Sequence, residues 1–260
     1  MALATPSGEL EELVDESSGK EIVATPVVVD RFEDLMKKYE QGLDFGAREV
    51  WTKNNVHDVF LPSDINLFLQ QTREYEDHVN YSENTGFFIS QLIQNSYTAG
   101  HTDFELDVNS LKPIDYFTSN ISGTKERRAS IVIKGETGDA CGSNAHHSTF
   151  IIKKAGHWCG WESKYSTFTI EKAGHKCGIH AENSTFTIGE AGDQCGYGVK
   201  HSTFTIEGAE YWCGSEAHHS TFKTHNPEQY EKFKVYISQN KENKLYLLSP
   251  NGSILQGGSW

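Results

Sequence analysis

Five cysteines, Cys141, Cys159, Cys177, Cys195 and Cys213, follow one another at intervals of 18 residues. Each is the twelfth residue of a matching stretch. From Ser130 the units are SIVIKGETGDACGSNAHH, STFIIKKAGHWCGWESKY, STFTIEKAGHKCGIHAEN, STFTIGEAGDQCGYGVKH and STFTIEGAEYWCGSEAHH, with a partial sixth, STFKTHN, from Ser220. A fixed period of this fidelity marks a solenoid, in which each unit buries its face only by stacking on the next. Eighteen residues are too few for a helical hairpin. The Ser-Thr-Phe-Thr-Ile segment is β-branched and aromatic and so favours a strand.

Strand alternation sets which side chains face inward. Phe150, Phe168, Phe186, Phe204 and Phe222 form one predicted inward ladder, beside Ile152, Ile170, Ile188 and Ile206. Small residues recur at Ala145, Ser163, Ala181, Val199 and Ala217, a further inward position. The Ala-Gly pairs and the glycine after every cysteine mark corners. The first coil departs from this pattern, with Val132 and Lys134 at the Phe and Ile positions. Either it frays as a cap, or its strand is shifted by one residue and turns Ile131 and Ile133 inward.

The unit SIVIKGETGDACG, continued by AGHKCGIHAENSTFTI, resembles the glycine-rich parallel β-helix repeat found in the C-terminal domain of the large subunit of glutamate synthase. The same repeat occurs in a subunit of formylmethanofuran dehydrogenase. The likeness covers about residues 130–225. It implies a right-handed parallel β-helix used as a packing module, without catalytic residues of its own. The cysteine before each glycine departs from the family's pattern.

Flanking segments read as caps, which gives an α+β chain. A disordered tail is expected over 1–25, a helical domain over 26–118, β-helix repeats over 119–225, and a capping helix and hairpin over 226–260. Phe32, Leu35, Met36 and Tyr39 fall on one face of a helix beginning near Asp30. Ser63 is the expected N-cap of a helix turning Ile65, Phe68, Leu69, Thr72 and Tyr75 inward, and residues 86–97 form a third helix. Asn226 and Pro227 open the last helix, with Tyr230, Phe233 and Ile237 on its closing face. Pro250-Asn251-Gly252 marks a hairpin.

The formal charge is −13, but it is unevenly placed: residues 1–129 carry 23 acidic and 11 basic side chains, and residues 130–260 carry 13 and 12. Such acidity argues against a nucleic-acid partner and against anionic membranes. No apolar run reaches the ~18 residues of a membrane span. The opening residues MALATPSGELEELVDESSGK lack the basic and apolar stretches of a secretory signal, so a cytoplasmic protein is expected and the matches to the glycosylation pattern at Asn80, Asn120, Asn183 and Asn251 carry no weight.

Candidate chemistry centres on the repeat. A cysteine array could hold metal or act in redox, but metal sites need ligands converging from several directions. Here every thiol leaves its coil at the same position, which favours a buried stack of small soft side chains. His157 and His175 lie two residues before Cys159 and Cys177, so these four are the metal-ligand candidates; Asp139, Asp193 and Tyr211 hold the histidine position elsewhere. Trp158, Trp161 and Trp212 stand out in the turns as contact aromatics. No pattern of catalytic groups rises above the repeat, so no enzyme activity and no cofactor are expected. Outward-facing Thr167, Thr169, Thr185, Thr187, Thr203 and Thr205, extended by Thr149 and Thr221, form a grid. That grid suits a protein partner, and it also resembles the ice-binding face of insect antifreeze solenoids. The favoured expectation is a scaffold or protein-interaction module. The alternatives are an accessory subunit of a larger enzyme, or a metal-binding, ligand-binding or ice-binding solenoid.

Overall fold

The computed structural model describes residues 26–44, 56–240 and 242–259. The tail expected over 1–25 lies outside them. Helix α1 (Pro26–Leu43), α2 (Pro62–Gln71) and α3 (Tyr81–Thr98) precede a run of strands. These are β1 (Asp103–Asp107), β2 (Ala129–Glu136), β3 (Ser148–Ala155), β4 (Thr167–Ala173), β5 (Thr185–Ala191), β6 (Thr203–Ala209) and β7 (Thr221–Thr224). Helix α4 (Pro227–Ile237) and the hairpin of β8 (Lys244–Leu248) and β9 (Ile254–Ser259) follow. The nine strands among the described residues lie in one sheet in chain order. Pairing is parallel from β1 to β8 and antiparallel between β8 and β9. This is a parallel β-solenoid of about five turns, about 18 residues apart, within an α+β chain.

The first coil takes the shifted register. Ile131 pairs with Phe150 and Ile133 with Ile152, and both isoleucines are buried. One extra residue in β2 is absorbed between Ile133 and Glu136, at a bulge holding Gly135 with φ of +111°. A side chain there would also strike the backbone of Val108 and Asn109, so glycine meets both demands.

The sheet starts before residue 119, the boundary drawn from composition. Phe104 of β1 is the rung partner of Ile131, 27 residues on. The turn residues of this rung reproduce the coil path without its sequence. Gly142 N–H donates to Phe117 O at 2.9 Å, as Gly160 N–H does to Cys141 O at 2.9 Å. Tyr116, Thr118 and Asn120 have φ of 55°, 57° and 57°, matching Ala140, Gly142 and Asn144 at 58°, 63° and 53°. Phe117 therefore holds the cysteine position, and Thr118 the glycine position.

The helical segment closes this end. Tyr39 packs edge-on to Phe68 and Phe88 at 5.9 and 5.3 Å, and its hydroxyl bonds Thr85 Oγ1 at 2.6 Å. One continuous core runs from Leu35 and Phe68 through Phe104, Ile114 and Phe117 into the solenoid. Ser63 is not an N-cap: α2 begins at Pro62 after Leu61, with no side-chain cap bond. Proline's fixed φ suits the first helical position, where its missing N–H costs nothing. The same helix ends at Gln71, and Thr72–Tyr75 continues as a 3₁₀ turn.

At the other end Asn226 caps α4 as expected, its side chain accepting from Glu228 and Gln229 N–H. Tyr230, Phe233 and Ile237 are buried beneath it. The expected hairpin forms, and β8 adds to β7 with Leu245 opposite Phe222. No helix among the described residues is long and apolar enough to cross a membrane.

Candidate interaction face and the ladders beneath it

Three ladders run inside the coil beneath the face. Phe150, Phe168, Phe186 and Phe204 stack at 4.6 to 4.7 Å between ring centroids and within 6° of parallel, and Phe222 follows at 5.4 Å. Each ring is fully buried, worth about 2–3 kcal/mol of burial apiece. The glycine after each cysteine lies against these rings. A Cβ at Gly178 would stand 2.8 Å from the ring of Phe204 and 3.0 Å from that of Phe186. Its φ of +67° adds a second reason for glycine.

The five cysteines are fully buried and unbridged. Hydrogen bonding to the Cys159 thiol, together with burial, holds Cys141 well above the usual thiol range. At Cys159, Cys177 and Cys195 the thiol of the preceding coil pulls downward. The thiol of the following coil and burial outweigh it, and the net direction is again upward. The unfolded chain then releases these protons first. Thiol-linked stability is complete below the ordinary thiol value of 9.0 and declines as pH rises past it. Urea midpoints measured from about pH 7 to about pH 10 should fall, and less steeply for Cys177→Ala; a flat profile in the native chain would contradict this.

The serine before each Thr-Phe forms the third ladder, which period and alternation alone do not disclose. Ser148, Ser166, Ser184 and Ser202 each donate a backbone N–H to the next coil's serine hydroxyl at 3.1 to 3.2 Å. Each hydroxyl in turn donates to the carbonyl two residues back, as Ser184 does to Glu182 O at 3.0 Å. Ser220 has no following coil, and its N–H donates to Asn243 Oδ1 at 3.0 Å. The invariance of serine before Thr-Phe was the available signal, since strand propensity does not call for it.

Outside the turn runs a fourth column. Asp139 N–H donates to Asp115 Oδ1, His157 to Asp139 Oδ1, His175 to His157 Nδ1, Asp193 to His175 Nδ1, and Tyr211 to Asp193 Oδ1, at 2.7 to 2.9 Å. Aspartate and histidine replace one another because both carry an acceptor one atom beyond Cγ. This separates the four metal-ligand candidates. His157 and His175 stack outside at 4.8 Å, whereas Cys159 and Cys177 are buried on the opposite side of the wall. His175, Asp193 and Glu210 do bring donor atoms within 4.8 Å of one another. The Nδ1 lone pair that His175 would offer already accepts the Asp193 N–H.

The six threonines share one outer face, in register. Thr149, Thr167, Thr185, Thr203 and Thr221 are successive rung partners; Ile151, Thr169, Thr187, Thr205 and Lys223 form the adjoining row. Thr169, Thr185 and Thr187 are exposed, the other threonines half-buried, and Ile151 is 51% exposed. A shallow groove follows the second row past Val132, Ile151, Thr169 and Thr187 to Gly189 and Glu207. Arg128 spans the head of the first row, its Nη2 donating to Ser148 O at 2.8 Å and its Nε to Thr149 Oγ1 at 3.3 Å. Ion pairs between rungs, Lys154–Glu136 at 2.7 Å and Lys172–Glu190 at 2.9 Å, flank the face and favour the observed neighbours over a slipped register. Among the turn aromatics, Trp158 and Trp212 stay exposed, and Trp161 is half-buried.

Fold and face together define a capped parallel β-solenoid with an open, regular sheet face. Comparison with protein-family models, with curated proteins and with solved structures finds none that matches the chain.

Proposed function

We propose that this protein is a non-enzymatic scaffold whose threonine-lined sheet face docks another protein. The observation that carries the reading is the outward row Val132, Ile151, Thr169, Thr187. It forms a groove with apolar and hydroxyl groups side by side and is left uncovered by the helices at either end. Alternating methyl and hydroxyl groups on a rigid, pre-ordered surface lower the ordering cost of association. The coil's likeness to the packing repeat of glutamate synthase and formylmethanofuran dehydrogenase supports a structural role, including that of an accessory subunit. A cytoplasmic setting belongs to the proposal, and the five free thiols suit a reducing compartment.

The test is capture under mild conditions by the full chain and by Thr187→Arg and Ile151→Asp variants, with folding checked by circular dichroism. A partner held by the parent and lost by both folded variants is expected. A partner held equally by all three would overturn the docking face. The in-register threonine rows also favour a second reading, a face that orders water against ice. Arg128, Ile151 and Lys223 interrupt those rows, and absence of ice recrystallisation inhibition would dispose of it.

A further inference from the structure

The two edges of the sheet are finished differently. At the β1 edge, helix α2 supplies substitute partners: Asp107 N–H donates to Asn66 Oδ1 at 2.8 Å, and Gln70 Nε2 donates to Asp107 O at 2.6 Å. Among the described residues, no strand pairs with the outer edge of β9. That strand, Ile254-Leu255-Gln256-Gly257-Gly258-Ser259, is exposed along nearly its whole length. It has no charge, no proline and no inward lysine, the usual devices against strand addition. Ile254 and Leu255 are 60% and 65% exposed.

We infer that β9 is a self-association edge: two copies of this chain join β9 to β9, antiparallel, across a two-fold axis. A parallel solenoid alone cannot close on itself this way, since a rung added head to tail continues without end. The terminal hairpin reverses the last strand. An antiparallel edge is then its own complement, residue i meeting j and j meeting i. Charge placement selects a second copy over an oppositely charged partner. Among the described residues, 26–44 and 56–129 hold 16 acidic and eight basic side chains, whereas 226–260 hold three and four. Joining at β9 sets the two acidic helical segments at opposite ends of the pair, where their repulsion is least. With the axis between Gln256 and Gly257, Leu255 of each copy covers Gly258 of the other. The same large-over-glycine packing already occurs within the hairpin, where a Cβ on Gly257 would lie 2.7 Å from the Tyr246 ring.

This inference is independent of the threonine face. It is tested by sedimentation equilibrium of the full chain, beside Leu255→Lys, Ile254→Lys and a control, Val235→Lys, on the exposed side of α4. A dimer with a micromolar dissociation constant is expected, weakened at least tenfold by each β9 variant and unchanged in the control. A parent chain that stays monomeric, with β9 amides exchanging freely at every concentration, would overturn the inference and leave the edge to a strand of another protein. A dimer indifferent to both β9 variants would overturn it equally.

Discussion

The rung built on β1 and the coils built on β2 to β6 follow one backbone path with different residues. Where the repeated coils carry Cys159 or Cys177 in the turn, the first rung carries Phe117; where they carry glycine, it carries Thr118; where they carry His or Asp, it carries Asp115. Where β2 sets Ile131 against Phe150, the strand ladder loses a ring, while the turn after β1 holds the fully buried ring of Phe117. The comparison separates what the fold requires from what the repeat happens to contain. It requires filled volume inside, an acceptor at the outer corner and a left-handed turn residue beside the inward one. It does not require cysteine.

The largest expected effect breaks that equivalence directly. Phe117→Cys would give the first rung the residue of its neighbours, yet it leaves a fully buried site underfilled. The expected loss is about 3 kcal/mol in urea denaturation; no loss would mean that Phe117 and cysteine are interchangeable and that volume does not decide. Ser184→Ala comes next. It strips the acceptor from the buried Ser166 N–H, for a loss of about 1–3 kcal/mol, and an unchanged midpoint would show that the serine ladder is incidental. The smallest effect sits at the half-exposed corner. His175→Ala removes the acceptor of the Asp193 N–H, where water can substitute, so a loss below about 1 kcal/mol is expected. His175→Asp should restore stability, as Asp139 and Asp193 serve elsewhere in the column. Failure of that rescue would point to ring stacking instead.

These contrasts also show what the sequence discloses. Period and alternation were enough for strands β3 to β7, for the inward Phe, Ile and Cys positions and for the outward threonines, each set by one local pattern repeated; the caps were read instead from helical periodicity and turn residues. The rung on β1 was not legible, because Phe104, Phe117 and Ile121 share neither spacing nor residue type with the coils. Only the hydrogen bonds and the φ values of Tyr116, Thr118 and Asn120 align it with them. The Asp/His column looked variable because residue identity hides a common acceptor geometry. The first coil's register stayed open in the sequence, since a single inserted residue at Gly135 can be placed only by its strand partners. His157 and Cys159 were candidate ligands only by proximity in sequence, and residues two apart across a turn part company at the wall.

The central claim is that successive coils stack in register, each strand pairing with those of the neighbouring coils. Paired cysteines on the exposed face test it most directly, because the native thiols are buried. Thr169 and Thr187 are rung partners, as are Thr187 and Thr205. Partners lie ~4.8 Å apart, within reach of a disulfide, and residues two rungs apart ~9.6 Å, beyond it. Under mild oxidation Thr169→Cys with Thr187→Cys should close a bridge in the folded chain, and Thr169→Cys with Thr205→Cys should not. A bridge in the second pair, or none in the first, would contradict the stack.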